Sequence, residues 1–275
     1  MRATYDEVGY WSEVKLDIVR EYAAAYSQIL ATRTNPSLYH IYIDAFAGAG
    51  VHISRSTGEF IPGSPQNALL VTPPFREYHL IDLDAGKAES LRGFTSDNPA
   101  VKVYEGDCNH ILLKEVFPRA LYADFKRALC LLDPYGLHLS WEVIRTAGQM
   151  QSVDMFLNFP IHDMNRNALR HDQTLVSVEQ AARMTFYWGD ESWKSIAYDT
   201  TTDMFGYPIK QPNEAIVDAF RARLKKVAGF KFVPPPMPMR NSVNAELYYL
   251  FFASQQKVAD DIVRSIFHKY RDRRG

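Results

Sequence analysis

The sequence predicts an α/β fold: a doubly wound, mostly parallel sheet of seven strands with a helical insertion after the fifth. Short apolar runs at 39–46, 78–83, 102–104, 128–132 and 154–159 alternate with segments of helix length at 64–71, 85–94, 109–125 and 140–150. Strand, helix, strand at this spacing requires crossover connections, and crossovers give parallel pairing. The runs also end in glycine or aspartate, as strands do where an open sheet presents its ligand-binding edge. Beyond Pro160 the alternation stops.

Taken in order, residues 11–30 form an amphipathic helix, because Trp11, Val14, Ile18, Val19, Tyr22, Tyr26, Ile29 and Leu30 recur at three- and four-residue steps. Ser12 is its expected cap, Glu13 suits its positive end, and Asn35-Pro36 closes the segment. The polar stretch 52–63 reads as a loop. Residues 161–212, rich in Asp, Asn, Arg and aromatics, read as the insertion, with a helix at 177–187. Leaving from the fifth strand, the insertion is expected to form the acceptor-side wall of the crevice. A helix at 213–227, capped by Asn213, precedes late strands at 230–233 and 245–253, which form an antiparallel hairpin. Pro234, Pro235, Pro236 and Pro238 donate no ladder hydrogen bond, so that stretch belongs at an edge or in a connection. A helix at 257–270 ends in a basic tail. The whole, 1–275, reads as a single domain.

Hydrophobic content of 47% with 23% charged residues excludes wholesale disorder. Lysine and arginine (31) balance aspartate and glutamate (32), so any nucleic-acid contact comes from a local patch. Arg264, Lys269, Arg271, Arg273 and Arg274 form one such patch, with a solvated terminus as the competing reading. Cys108 and Cys130 cannot build a disulfide scaffold or a paired metal site, and His138, His162, Asp163 and His171 show no compact ligand spacing, so no metal is expected. No run of 18 apolar residues suggests a membrane span, and the first residues lack the apolar core of a signal peptide. The expectation is a cytoplasmic protein.

Chemistry concentrates at the strand ends. Asp44-Ala45-Phe46-Ala47-Gly48-Ala49-Gly50 runs a strand into Gly-x-Gly, letting the backbone turn tightly and approach a ligand. A dinucleotide fold needs a small residue three places after the second glycine. Ile53 stands there, which disfavours a nicotinamide oxidoreductase. Asp82, followed by Leu83, ends the next run where it can accept from both ribose hydroxyls, while Asp84 caps the following helix. Asp107 ends the third and can accept from an adenine amino group beside the small apolar Cys108; a plain helix cap is the alternative. The fourth delivers Asp133-Pro134-Tyr135-Gly136. There a carboxylate or neighbouring carbonyl can accept an N–H and the ring can stack on a base, against the alternative of an ordinary β-turn.

In this order the motifs resemble those of a class I (Rossmann-like) S-adenosylmethionine-dependent methyltransferase. More closely, the chain resembles the three-Cys-motif partner family, in Trp11 with Lys15, Asp44-Ala45-Phe46-Ala47-Gly48, Gly63-Ser64-Pro65, 132–137 and 248–253. The resemblance spans nearly the whole chain except 161–212. It implies S-adenosylmethionine as cofactor, with Asp44, Ala45, Phe46, Gly48, Gly50, Asp82, Leu83, Asp107 and Cys108 binding it and Asp133, Pro134 and Tyr135 catalytic. It also implies an iron–sulfur, radical-SAM-like protein as partner. Pro62-Gly63-Ser64-Pro65 is similar to the corresponding stretch of ribosomal-RNA adenine N6-methyltransferases. The expected function is methyl transfer to an amino group of nucleic acid. Amino-methyltransferases usually carry two prolines before the aromatic; this chain carries one. The rival expectation is therefore a catalytically degenerate, cofactor-binding partner of the iron–sulfur protein, acting in DNA repair.

Overall fold

The computed structural model describes residues 6–202, 204, 206–241 and 243–271; Asp272, Arg273 and Arg274 of the expected basic tail lie outside them. The described chain opens with strand β1 (Asp6–Val8) and the long helix α1 (Tyr10–Ala31). Gly9, in extended conformation, is the N-cap of α1, and Ser12 falls inside the first turn, its N–H donating to the Gly9 carbonyl at 2.9 Å. The helix starts earlier than its periodicity suggests because β1 is held extended by pairing with His52, Ile53 and Ser54, and the chain turns directly from it. Strand β2 (Tyr39–Asp44) follows. The expected loop 52–63 is instead a hairpin of β3 (Val51–Ser54) and β4 (Phe60–Pro62), with β1 pairing parallel to β3. Gly58, at φ +73°, makes its turn.

Helix α2 (Ser64–Leu69), strand β5 (Glu77–Asp82), helix α3 (Ala85–Thr95) and strand β6 (Val101–Glu105) come next. The single helix expected at 109–125 is broken into α4 (Cys108–Ile111), a wide turn over Leu112–Val116 and two short 3₁₀ turns. Pro118 withholds a donor in its middle, which is why the ladder does not run through. Strand β7 (Lys126–Leu132), helix α5 (Trp141–Met150) and strand β8 (Val153–Phe159) complete the regular alternation.

The insertion contains α6 (Ile161–Asn167), α7 (Val178–Trp188), α8 (Trp193–Ala197) and a small ribbon of β9 (Tyr198–Thr202) and β10 (Pro208–Lys210). Ser177 and Gln180 cap α7 reciprocally. Helix α9 (Asn213–Lys226) has Pro212, not Asn213, as its N-cap. The Asn213 side chain instead donates to Glu246 at 2.9 Å and accepts from Asn165 at 3.0 Å, tying the insertion to the sheet. Strands β11 (Met237–Arg240) and β12 (Glu246–Ala253) precede the last helix, α10 (Lys257–Arg271). The expected strand at 230–233 is reduced to one bridge, Phe232 with Ser254; the hairpin partner is the proline-bordered β11, whose Met237 and Met239 face the core. An edge position tolerates Pro238.

Among the described residues the main sheet has seven strands in the order β11-β12-β8-β7-β2-β5-β6, with β12 antiparallel to both neighbours and the other pairs parallel. One face buries Tyr22, Phe156, Phe252 and Phe267 under α1, α2, α3 and α10; the other buries Phe159, Trp188, Phe220 and Phe251 under α4, α5, α7 and α9. The chain leaves β2 toward β5 on one side and, later, β7 on the other. The strand order thus reverses beside β2, which opens a crevice at the carboxyl ends. Among the described residues no helix is long and apolar enough to cross a membrane, and no three His, Cys, Asp or Glu side chains cluster as metal ligands.

Candidate functional site

Hydrogen bonds from the glycine turn draw the strand ends together. Asp82 accepts from the Gly48 N–H at 2.8 Å with one oxygen and from the Asp84 N–H at 2.9 Å with the other. Ala47 donates to the Ile81 carbonyl at 2.9 Å, and Gly106 to that of Asp82 at 3.0 Å. The ends of β2, β5 and β6 are thus stitched to one another. Gly48 (φ +64°) and Gly50 (φ +83°) are left-handed, and Gly63 lies so close to the turn that a Cβ would stand 2.8 Å from the Gly50 carbonyl oxygen. At Gly50 a Cβ would collide with the Phe94 ring, whereas at Gly48 nothing lies nearer than His52 at 3.7 Å. Asp84 caps α3, its carboxylate accepting from the Lys87 N–H at 2.9 Å.

A cavity of about 600 Å³ lies on the β6 side of this turn, lined by Ala45, Phe46, Leu83, Asp107, Cys108 and residues of α7. Asp107 is the N-cap of α4 and accepts from both the backbone (3.0 Å) and side-chain (2.9 Å) nitrogens of Asn109. Asn109 in turn accepts from the Ser140 N–H at 2.7 Å, fixing the cavity floor to the start of α5. Burial, with the Asp107 charge beside it, pushes the Cys108 thiol up to about 12, so it stays protonated and is no nucleophile. Cys130, fully buried, is raised well above the ordinary thiol range by the same desolvation.

On the β7 side lies a second cavity, about 360 Å³, where Asp133, Pro134 and Tyr135 meet Lys15, His52, Ser64, Asn158 and Tyr248. The Lys15 ammonium, its side chain only 9% exposed, is ion-paired with Asp133 and lies 5.4 Å from the Tyr248 ring centroid. Burial alone would lower the Lys15 pKa, but the Asp133 carboxylate and Tyr248 outweigh it and hold the ammonium above its usual range. Asp44, fully buried behind them, is pushed up to about 7 by desolvation against the donation of Ser64, the Phe46 N–H and the Tyr42 hydroxyl. Strand β1 closes the outer side: Asp6 accepts from Lys87 at 2.6 Å and from the Tyr135 hydroxyl at 3.3 Å. One oxygen of Asn158 and one nitrogen of His52 are buried here without a partner.

Phe46 borders both cavities, so the two form the arms of one crevice around the end of β2. Ala45, Phe46, Leu83, Asp107 and Cys108 line one arm, with Gly48 and Asp82 hydrogen-bonded in the turn beside it; Asp133, Pro134 and Tyr135 line the other, with Asp44 buried behind them. The insertion does not wall the Asp133 arm as its departure from the fifth strand suggests. Ala182, Arg183 and Phe186 of α7 roof the Asp107 arm instead, and Asp163 of α6 approaches the turn after Asp133, against Gly136. The reason is local: α7 packs on α5, which follows β7 and leads away from Asp133. Lys15 and Tyr248 belong to stretches that carry the family resemblance, which gives them no role at the site, and no motif singles out His52 or Asn158. For Lys15 a signal exists, a lone cation on the buried stripe of α1; for Asn158 there is none, because it reads as an ordinary strand residue.

No family model and no curated protein matches the chain. Among solved structures, it is similar to protein LPL1258 from Legionella pneumophila, with 12% identity, TM-score 0.53, and 92% of this chain and 90% of that chain covered. It is also similar to a putative methyltransferase from Thermobifida fusca, with 14% identity, TM-score 0.45, and 89% and 79% covered. The first likeness shows that this chain shares a fold of known structure across nearly its full length.

Proposed function

We propose that this chain is an S-adenosylmethionine-dependent methyltransferase acting on an amino group of nucleic acid. The observation that carries the reading is the two-armed crevice joined at Phe46, with the base-type acceptor Asp107 in one arm, Asp82 in the turn beside it, and a carboxylate–aromatic turn in the other. The residues fit the cofactor. Gly48, where a Cβ would have nothing nearer than His52 at 3.7 Å, leaves the turn open beside the backbone, and each Asp82 oxygen keeps lone pairs beyond its one backbone bond for ribose hydroxyls. When bound, the cofactor supplies a methyl group on a sulfonium. The chain's part is to orient the nucleophile toward it and exclude water. Asp133 or the adjacent carbonyl accepts the acceptor's N–H, Tyr135 offers a stacking face, and Lys15 holds Asp133 in place by an ion pair. The printed description of the Thermobifida fusca neighbour as a putative methyltransferase agrees with this reading.

Calorimetry with S-adenosylmethionine and S-adenosylhomocysteine, with NAD as control, tests the cofactor; binding of NAD alone would overturn it. Mass spectrometry of RNA, DNA and protein after incubation with isotopically labelled cofactor then tests the acceptor. A second reading, the cofactor-binding partner of an iron–sulfur radical-SAM-like protein suggested by the family resemblance, is favoured by one observation: Lys15 already occupies the Asp133 carboxylate. Tight cofactor binding with no labelled product in any pool, the iron–sulfur partner supplied, would favour it.

A further inference from the structure

The opposite end of the sheet holds a cavity the crevice does not use. The last turns of α1, the starts of β7 and β8 and the first turn of α10 enclose about 490 Å³. Ile29, Leu30, Leu38, Phe125, Val258 and Ile262 give it apolar walls. Phe125 stands at its mouth, 53% exposed and with φ +56°, a conformation a bulky side chain rarely adopts. Polar groups inside are unevenly satisfied. Asp154 is complete, accepting from the Tyr22 hydroxyl at 2.7 Å and from Ser254 at 2.5 Å. Tyr26 is only 8% exposed, yet its hydroxyl has no hydrogen-bond partner among the described residues. Arg127 stacks on the Tyr122 ring at 3.7 Å and donates through Nη1 alone, to the carbonyls of Lys126 (2.6 Å) and Tyr122 (3.4 Å). Its Nε and Nη2 have no partner, and neither Arg127 nor Arg33 is ion-paired among the described residues.

We propose that this cavity binds a small amphipathic carboxylate, its apolar body between α1 and α10 and its carboxylate on the free edge of Arg127 with the Tyr26 hydroxyl donating. A guanidinium edge with two unused donors matches a carboxylate in geometry as well as charge. The excess of cations over carboxylates in the lining favours an anion over an amine, and the Tyr26 hydroxyl at the cavity wall, with no protein partner among the described residues, is available to donate. The site lies at the end of the sheet away from the crevice, so it is separate from the acceptor site.

The probes are decanoate and 2-naphthoate, with decylamine and decanol as controls, titrated into the full chain by calorimetry and by ¹H–¹⁵N NMR. The carboxylates should bind and compete with one another, shifting amides around Tyr26, Phe125, Arg127 and Ile262, and the controls should bind at least about tenfold more weakly. Arg127→Gln should weaken carboxylate binding about tenfold or more and Tyr26→Phe by about fivefold, with circular dichroism unchanged. Equal binding of carboxylate and amine, shifts confined to the crevice, or affinity insensitive to Arg127→Gln in a folded variant would each overturn the proposal.

Discussion

Asp82 holds two backbone N–H groups and faces the glycine turn, so its carboxylate serves the protein and a ligand together. Charge-assisted hydrogen bonds contribute roughly 1.5–3 kcal/mol each, so removing the acceptor of a ribose diol is costly. Asp82→Ala should weaken S-adenosylmethionine binding about tenfold or more while the circular dichroism spectrum is retained. Unchanged calorimetric affinity in a folded variant would remove the cofactor assignment from this residue. Lys15 and Asp133 illustrate a different residue-scale rule. Breaking a largely buried pair from one side strands the other charge, at a cost of about 3 kcal/mol. Lys15→Met should lower stability by about that amount in urea unfolding, and Lys15→Met with Asp133→Asn together should recover part of it. A double variant no more stable than the single one would mean the pair is not what matters.

Elements show the same tension between local preference and tertiary contact. Gly148 sits near the end of α5, where alanine is ordinarily better by roughly 0.5–1 kcal/mol. Here a Cβ would overlap the backbone carbonyl of Ala228, in the turn after α9, which cannot move aside as a side chain can. Gly148→Ala should therefore destabilise the protein by about 2 kcal/mol or more, against its propensity, and a rise in Tm would contradict the close approach. What the sequence reveals follows the same division. The parallel strands β2, β5, β7 and β8 are legible because they are largely buried on both faces and mostly apolar, and β6, a half-exposed edge strand, because it follows them at the same helix-length spacing. The β3–β4 hairpin is not, because its strands are short and half-exposed and its pairing with β1 is non-local. Strand β11 hides behind three prolines, though the alternation of Met237 and Met239 marks its buried face. At the site, the carboxylates and glycines stand out because strand ends demand them. Lys15, Asn158 and Tyr248 come from elements distant in sequence, and only the folded chain brings them to Asp133.

Across the whole molecule, two carboxylates lie buried at opposite ends of the sheet, each satisfied by hydroxyls rather than by a cation. Asp44 at the carboxyl end of β2 is pushed up to about 7 by desolvation, and Asp154 at the start of β8 to about 6 by the same cause. Their ordinary value is 3.8, close to that in the unfolded chain. Between that value and the folded one, the native state holds a proton that the unfolded state has released. Stability from these groups is therefore full below about pH 4 and is lost as pH rises through 6 and 7. Glu77 and Glu246 act in the opposite sense, because cations and hydroxyl donors hold them below the usual carboxylate range despite burial. Their contribution is lost on acidification through their lowered values, in a window below the first, so the two trends are separable by pH. Asp44→Asn removes one titration and leaves a neutral group of the same shape. Wild-type stability measured by urea unfolding should fall between about pH 4.5 and 7.5 relative to that variant, by about 3 kcal/mol at roughly 1.36 kcal/mol per pK unit. Asp154→Asn should show a smaller fall that ends nearer pH 6. Parallel stability curves for wild type and Asp44→Asn across this window would mean that the carboxylate is hydrated in the native state and that the turn around Gly48 is open to water behind Phe46.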